Sequence, residues 1–414
     1  MFSSTITLSE WLHDVCERQP QAARLFRATE EEQRTRGYYH TLREIVQQPF
    51  SWIHTADQMA RLASDLRPCL SELRNIVLTG SGSSEYAGHC VRLALQTRLG
   101  VNTVAIGGGA LLTHSQHASP PGRPALLISL ARSGDSPESV GALSLLLKTD
   151  PAIHHLVLTC NANGKLATDF RQNPRVRVVT LHDATNDRSL VMTSSFTNLA
   201  LAAYSLGFLD EPQLYTSHCR QLSNIARQLL ETQFDTLGQV GALGFTRAVF
   251  LGSGPRLGAI LEAALKMLEM TAGQVSAVSE TYLGLRHGPM SYVHGDTLVV
   301  CFLSSDATAR PYECDLIREL NQKNLGMIKL IVGEAVPSDL ARGRDVVIEC
   351  PGLAELGEYC APVIEVVIAQ LLGFFRCVRE GLRPDSPSEN GVINRVVKSF
   401  DLHLPAESSL GEGH

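Results

Sequence analysis

The sequence predicts an α/β protein with two domains, each a five-stranded parallel sheet in an α/β/α sandwich. Two observations predict this fold class. Short apolar runs alternate with longer helical stretches, and these runs fall into two sets of five. Strands that are apolar on both faces are typical of parallel sheets with helices on each side. The length of 414 residues also exceeds one average core and fits two or three domains.

The ten predicted strands begin well inside the chain. The first set is 75–80, 102–107, 124–130, 154–160 and 176–181, and the second set is 247–254, 275–280, 297–304, 327–333 and 345–350. Each set opens with a strand that runs through a Gly-Ser turn into a helix, as in "LTGSGSSEYAG" and "FLGSGPRLGA". The two sets therefore indicate an internal duplication at domain length rather than a short solenoid repeat.

The segments outside the strands complete the domain organisation. We expect an N-terminal helical segment over 1–52, a first domain over 53–212, a second domain over 213–380 and a docked C-terminal tail over 381–414. The run "MTSSFTNLALAAYSLGFL" predicts an apolar helix over 192–209, between the two sets of strands. The tail is rich in Pro and Ser and then apolar, which favours docking over a free linker.

The bulk composition argues against several function classes. A net charge of −6 disfavours general nucleic-acid binding but still permits a small anion at a helix N-terminus. Ten Cys without a C-x-x-C pair favour reduced thiols in the cytoplasm over a disulfide framework. The N-terminus lacks the pattern of a signal peptide, and the apolar runs are shorter than the roughly 20 residues of a membrane span. We expect a cytoplasmic protein with no nucleic-acid or membrane partner.

The first Gly-Ser turn lies at the carboxyl end of a strand, where doubly wound sheets bind ligands. A dinucleotide fingerprint would need Gly in place of Glu85, and a P-loop would need G-K-[ST]. A phosphate cradle fits better, because Ser81, Ser83 and Ser84 offer hydroxyls beside the amides of the next helix. One such turn is equally compatible with a purely structural role.

A second Ser-rich turn, "ARSGDSPES", follows the third strand. Ser136 is its predicted helix N-cap, with Pro137 at the first helical position. Because both turns lie on neighbouring strand ends of one sheet, their hydroxyls converge, and the sequence predicts a phosphosugar site. The Gly-Ser turn of the second copy, 252–254, lacks a matching second Ser-rich loop, so we expect it to be structural.

Three charged residues share one face of a predicted helix in the second copy. In "LEAALKMLEM", Glu262, Lys266 and Glu269 lie at i, i+4 and i+7. A solvated salt-bridge stripe has the same spacing. A carboxylate in a partly dry pocket is also the kind of base that moves a proton between C1 and C2 of an opened sugar. The spacing alone leaves both interpretations open.

Together these motifs resemble the SIS (sugar isomerase) double-domain family. "GSGSS" with "ISLARSGDSPES" resembles its first domain, and "LGSGPRLGAILEAALKMLEMT" with "SETYLGLRHGP" resembles its second. Such a pair forms the isomerase half of glucosamine-6-phosphate synthase. "NDRSLVMTSSFTN" and the tail "PDSPSENGVINRVV" extend the match over nearly the whole chain to the AgaS-type group. That group contains the galactosamine-6-phosphate deaminase/isomerases, once called tagatose-6-phosphate ketose/aldose isomerases.

The resemblance implies roles for residues in both domains. The phosphate-binding residues it implies are Ser83, Ser84, Arg132, Ser133 and Ser136. The family usually has Ser where this chain has Ala131, so one hydroxyl contact is missing or replaced.

In the second domain the resemblance implies Glu269 as the base, with Lys266 and Glu262 in support. His287 resembles the His that opens the pyranose ring, a task that suits an imidazole titrating near neutral pH. Lys398 falls where the synthase carries a tail Lys near the reacting carbons, although a surface Lys fits equally well. The synthase completes its His site across a subunit boundary, which implies a homodimer or larger homo-oligomer with a shared active site.

The implied function is conversion of galactosamine 6-phosphate to tagatose 6-phosphate and ammonia by acid–base aldose–ketose isomerisation. Alternatives are a simple phosphosugar ketose/aldose isomerase, a deglycase or deaminase for related amino-sugar phosphates, and a non-catalytic phosphosugar-binding regulator. We expect no cofactor and no metal, because the one metal-like spacing, His114 and His117, lies in a predicted loop without an acid or Cys companion.

Overall fold

The computed structural model describes residues 6–388, 390–398 and 400–403, which contain two five-stranded parallel sheets. The strands of the first sheet are β1 (Asn75–Gly80), β2 (Asn102–Gly107), β3 (Ala125–Ala131), β4 (Ile153–Thr159) and β5 (Val176–Thr180). Those of the second sheet are β6 (Arg247–Leu251), β7 (Ser276–Glu280), β8 (Thr297–Phe302), β9 (Ile328–Gly333) and β10 (Val346–Glu349). Each observed strand lies at a predicted position, so the predicted fold class is confirmed.

Helices precede, connect and follow the strands. In the first half of the chain they are α1 (Leu8–Arg18), α2 (Pro20–Phe26), α3 (Glu30–Thr35), α4 (Tyr39–Val46), α5 (Gln48–Arg61), α6 (Ala63–Leu66), α7 (Ser83–Leu99), α8 (Gly108–Ala118), α9 (Pro137–Thr149), α10 (Lys165–Thr168) and α11 (Ser194–Tyr204). In the second half they are α12 (Pro212–Gly241), α13 (Leu257–Met270), α14 (Tyr282–Leu285), α15 (Ala309–Gln322), α16 (Leu353–Leu356) and α17 (Ala361–Arg379). Short 3-10 turns occupy Arg67–Leu70, Asp183–Thr185, Ser205–Phe208, Gly254–Arg256 and Pro289–Tyr292.

The two sheets have the same topology. Their strand orders are β2-β1-β3-β4-β5 and β7-β6-β8-β9-β10, with every neighbour parallel. Both faces of the strands are buried: along β3, Leu126 and Ile128 belong to one apolar cluster while Ala125 and Leu127 belong to another. This double burial explains why the strands are apolar throughout rather than alternating.

The N-terminal helices and the tail both pack against the rest of the chain. Helix α5 runs through the predicted boundary between residues 52 and 53, and the Trp52 Nε1 donates a hydrogen bond to the Thr197 Oγ1 at 2.9 Å. In the tail, the Asp385 carboxylate accepts a hydrogen bond from the Thr41 amide at 2.7 Å. Further on, the Arg395 Nε donates to the Asp187 carbonyl at 2.8 Å. The tail is therefore docked, as the sequence predicts.

Helix α17 is long and apolar enough to cross a membrane by length and composition alone, but 94% of its apolar window is buried inside the protein. Glu365, Gln370 and Arg376 interrupt its apolar sequence, which is why no long apolar run is visible there. The helix packs against α12 and α13, and its buried residues belong to an apolar cluster that also contains residues of both sheets.

Candidate active site

The turn after β1 places two serines at the edge of the first sheet. Gly82 has φ 56° and ψ −125°, a conformation that side chains rarely adopt, and α7 begins directly after it. Ser83 and Ser84 are buried in the first turn of α7, where the helix amides have no partner within the helix. Among the described residues, the one hydrogen-bond partner of the Ser84 hydroxyl is the Met192 sulfur, at 3.7 Å, and thioethers accept hydrogen bonds weakly.

The turn after β3 brings Arg132, Ser133 and Ser136 to the same edge. Gly134, with φ 73°, lets this turn reverse towards α9, and the Asn161 Nδ2 fixes it by donating to the Ser133 carbonyl at 2.8 Å. Ser136 occupies the predicted N-cap position of α9, but its hydroxyl makes no capping hydrogen bond. The Ser136 hydroxyl is therefore available to a ligand.

The two Ser-rich turns border one cavity of about 270 Å³. Its wall contains serines of both turns, Glu269 of α13 and, from the tail, Asn394 and Arg395. Pockets for drug-sized ligands begin at roughly 300 Å³, so this volume suits a smaller molecule. One cavity is therefore lined both by the Ser-rich turns of the first domain and by the Glu269 carboxylate of the second domain.

Arg132 supplies a buried positive charge to the cavity wall. Its guanidinium donates to the Leu190 carbonyl at 2.9 Å, to the Ser189 carbonyl at 3.3 Å and to the Arg395 carbonyl. Burial lowers the pKa of Arg132 and the Asp187 charge opposes that effect, yet a guanidinium stays protonated in proteins. Within the described residues its hydrogen bonds go to neutral carbonyls, and its charge therefore remains available to an anion in the cavity.

The charged face of α13 is buried rather than solvated. Lys266 and Glu262 are fully buried, with the Lys266 Nζ 3.4 Å from the Glu262 Oε1, and Lys266 also bonds the Glu269 carboxylate. Burial raises the pKa of Glu262 to about 8, although Lys266 opposes the rise. The two carboxylates outweigh burial for Lys266 and raise its pKa. The burial of these side chains excludes a solvent-exposed salt-bridge stripe on α13. Instead, a charged Lys266 positions the Glu269 side chain at the cavity.

We expect Glu262→Gln to flatten the pH dependence of stability. Since the folded pKa of Glu262 is about 8 against an ordinary 4.5, the folded state keeps a proton that the unfolded state loses between these values. Stability contributed by this proton is therefore lost as the pH rises through that window. Thermal unfolding at about pH 5 and about pH 8 should show a smaller fall in Tm for the variant. Glu31→Gln, at an exposed carboxylate, is the control, and equal slopes for Glu262→Gln and wild type would contradict the prediction.

Comparison with known proteins identifies the family, although no protein-family model matches the chain. The chain is 33% identical over 369 residues to the D-galactosamine-6-phosphate deaminase AgaS of Escherichia coli O157:H7, with 88% of this chain and 95% of that protein covered. The chain belongs to the AgaS family. The predicted resemblance is thereby confirmed, and this AgaS-family protein is an enzyme of the isomerising type.

Solved structures agree with this assignment. The crystal structure of tagatose-6-phosphate ketose/aldose isomerase from Escherichia coli matches the AgaS-family chain with a TM-score of 0.79 and 32% identity, covering 86% of this chain and 95% of that one. The C-terminal domain of glucosamine-fructose-6-phosphate aminotransferase from Francisella tularensis matches with a TM-score of 0.70 and 18% identity, covering 83% and 96%. The second match shows a shared fold.

The cavity of the AgaS-family chain gathers most of the residues singled out in its sequence. The predicted residues that line it are Ser83, Ser84, Arg132, Ser133, Ser136 and Glu269. Lys266 and Glu262 lie behind Glu269 on α13. His287 is exposed in the loop between α14 and the turn Pro289–Tyr292, and Lys398 is exposed in the tail. Neither is part of the cavity wall in a single chain, so their roles stay predictions.

Sequence reasoning missed several groups at the site. Asn394 and Arg395 line the cavity, and the tail motif that contains them was the available signal. The cap of α11 also comes from outside the predicted helix 192–209, because the Asp187 carboxylate accepts from the Thr193 amide at 2.7 Å and the Ser195 amide at 2.9 Å. The Ser195 hydroxyl also donates to Asp187, at 2.5 Å, and is committed to the cap.

The His-x-x-His pair lies in α8 rather than in the predicted loop. The helix is kinked at His114, where φ is −138° and ψ is 38°, and the His114 Nδ1 lies 2.8 Å from the Thr113 Oγ1. Among the described residues, no group of three or more His, Cys, Asp and Glu is placed to hold a metal ion. The absence of a metal stays a prediction from the sequence.

Proposed function

We propose that this AgaS-family enzyme converts D-galactosamine 6-phosphate to tagatose 6-phosphate and ammonia. The observation that carries the proposal is a single cavity lined by the two Ser-rich turns, Arg132 and Glu269. The names of its relatives supply the substrate, since they include a D-galactosamine-6-phosphate deaminase and a tagatose-6-phosphate ketose/aldose isomerase.

The first domain grips the phosphate in this proposal. The hydroxyls of Ser83, Ser84, Ser133 and Ser136 and the first-turn amides of α7 and α9 offer neutral donors. Arg132 adds a buried positive charge, and hydrogen bonds between charged partners are roughly twice as strong as neutral ones. The phosphate anchors the sugar so that its C1 and C2 lie beneath α13.

The second domain moves the proton. In the open-chain sugar, Glu269 removes the C2 proton, and the electrons of that bond form a C1–C2 double bond while the aldehyde oxygen takes up a proton. Glu269 then returns its proton to C1, and C2 becomes a protonated ketimine. Water adds to C2, the C–N bond breaks, and ammonia leaves the ketose. Lys266 keeps Glu269 oriented through their ion pair.

Two further residues and the assembly belong to the same proposal. His287 of the partner subunit assists ring opening in a homodimer or larger homo-oligomer, which accounts for an exposed His287 outside the cavity of its own chain. Lys398 acts near C1 and C2, because its neighbour Val397 already lines the cavity. We place the enzyme in the cytoplasm, where its ten free cysteines stay reduced.

A substrate panel tests the proposed reaction. Purified enzyme is given hexosamine and ketohexose 6-phosphates, and ammonia release and deuterium exchange at C2 are followed in parallel. We expect the highest kcat/KM for ammonia release from galactosamine 6-phosphate. Interconversion of neutral phosphosugars without ammonia would instead indicate a simple isomerase. Tight binding without C2 exchange for any sugar would indicate a regulator.

Ala131→Ser should tighten phosphate binding. Ala131 is buried in the cavity wall, and a Ser there restores the hydroxyl that the family usually has. One neutral hydrogen bond contributes about 1 kcal/mol net, so KM should fall roughly fivefold with kcat little changed. The control is Ala131→Cys, which adds similar volume with a weak donor. Equal KM values for the Ser and Cys variants in steady-state assays would contradict a phosphate contact at this position.

A further inference from the structure

The second domain repeats the strand register that carries the phosphate turns of the first. Thr79 pairs with Ser129 in the first sheet, and Leu251 pairs with Cys301 at the equivalent place in the second. A Gly-Ser-Gly turn follows Thr79 and Leu251 alike. Counted along the chain from these pairs, the positions that correspond to Ser84, Arg132 and Ser133 are Arg256, Ser304 and Ser305. The loop after β8 therefore carries two serines at the positions of Arg132 and Ser133, although it is not as rich in Ser as the loop after β3.

All three corresponding residues converge on one carboxylate, that of Glu358. The Ser304 hydroxyl donates to its Oε2 at 2.5 Å, and the Ser305 amide and hydroxyl donate to its Oε1 at 2.7 and 2.5 Å. The Arg256 guanidinium donates to the Oε2 as well. Burial would raise the pKa of Glu358, but Arg256 and the two serines outweigh it and lower the pKa to about 2. Glu358 is therefore an anion held by four donors.

The donor set is that of a built anion site. Two hydroxyls, a backbone amide and a guanidinium are groups that bind phosphate and sulfate as well as carboxylates. Arg256 is fully buried and also pairs with Glu365 at 2.6 Å, while Glu313 accepts from the Ser304 amide at 2.7 Å. Burial raises the pKa values of Glu365, to about 7, and of Glu313. At neutral pH, partial protonation of Glu365 limits its repulsion of an anion in the site.

We infer that the second domain contains a second oxyanion site, equivalent in register to the phosphate site of the first, which Glu358 fills as an internal ligand. The internal ligand also has a structural consequence. Glu358 lies just before α17, and Arg256 lies directly before α13, the helix that carries Glu269. Filling the site from within fixes the start of the catalytic helix and keeps the second copy from competing for phosphorylated ligands.

Glu358→Ala should open this site to an inorganic oxyanion. Isothermal titration calorimetry of the full-length protein with inorganic phosphate should find one more site per chain in the variant than in the wild type. Phosphate should also raise the Tm of the variant more than that of the wild type, at matched ionic strength. The control Glu358→Gln keeps a side chain of equal size in the site and should gain no phosphate equivalent. Equal stoichiometry for Glu358→Ala and wild type would overturn the inference.

A second measurement covers the case in which Glu358→Ala folds poorly. The variant and the wild type are both refolded from urea in phosphate and in chloride. A larger gain in yield from phosphate for the variant than for the wild type supports the inference, whereas equal gains overturn it. Glu358→Ala combined with Ser305→Ala lacks one hydroxyl donor of the site and should bind phosphate roughly fivefold more weakly than Glu358→Ala alone. If the proposed function is wrong and the first domain binds no phosphate, both proteins lack that first site. The difference in phosphate binding between variant and wild type then still reports the second site alone.

Discussion

Glu269→Gln is expected to lower kcat for ammonia release by about 10²–10⁴-fold, the range of general-base catalysis. The amide cannot accept the C2 proton. Its oxygen can still accept the hydrogen bond that Lys266 donates to this side chain in the wild type. Glu269 lines the cavity rather than the core, so the fold should tolerate the change. The measurement is steady-state ammonia release together with deuterium exchange at C2, and both should fall by the same factor.

Two results separate a lost base from a damaged site. Inorganic phosphate should bind Glu269→Gln with the wild-type affinity, because the phosphate turns lie in the other domain. The control Glu355→Gln makes the same change at an exposed carboxylate of α16 and should keep wild-type kcat. Wild-type turnover in Glu269→Gln would remove Glu269 from the mechanism and leave the cavity without its assigned base.

The fold was predictable because its determinants are local. Ten short apolar runs report buried parallel strands without knowledge of their partners, and the Gly-Ser turns after β1 and β6 mark the duplication. The phosphate side of the cavity was predictable for the same reason. Ser133 and Ser136 lie in one turn, and the rule that parallel strands present their carboxyl ends together places that turn beside Ser84.

The remaining features depend on contacts between residues distant in sequence. The spacing of Glu262, Lys266 and Glu269 is the same for an exposed and a buried helix face, and only the packing of α13 against α7 and α17 decides between them. Asp187 caps α11 through a loop that folds back. Glu358 reaches Ser305 across 53 residues of sequence, so no local pattern announces the filled site.

Mixing two inactive variants should restore activity if the active site is shared. Glu269→Gln and His287→Ala are each expected to be nearly inactive as pure oligomers. In a hybrid dimer, one site combines Glu269 of the His287→Ala chain with His287 of the Glu269→Gln chain, and is therefore intact. Random exchange gives hybrids in half of the dimers, each with one good site of two, so activity should recover to about a quarter of wild type.

The recovery distinguishes a shared site from one built within a single chain. If His287 acted on the cavity of its own chain, every site in the hybrid would lack either the base or the His, and the mixture would stay inactive. The exposure of His287 and its absence from the cavity wall of its own chain favour the shared arrangement. The variants are mixed in mild denaturant and returned to buffer, with each pure variant treated alike as a control. A mixture no more active than its components would contradict the contribution of His287 across the subunit boundary.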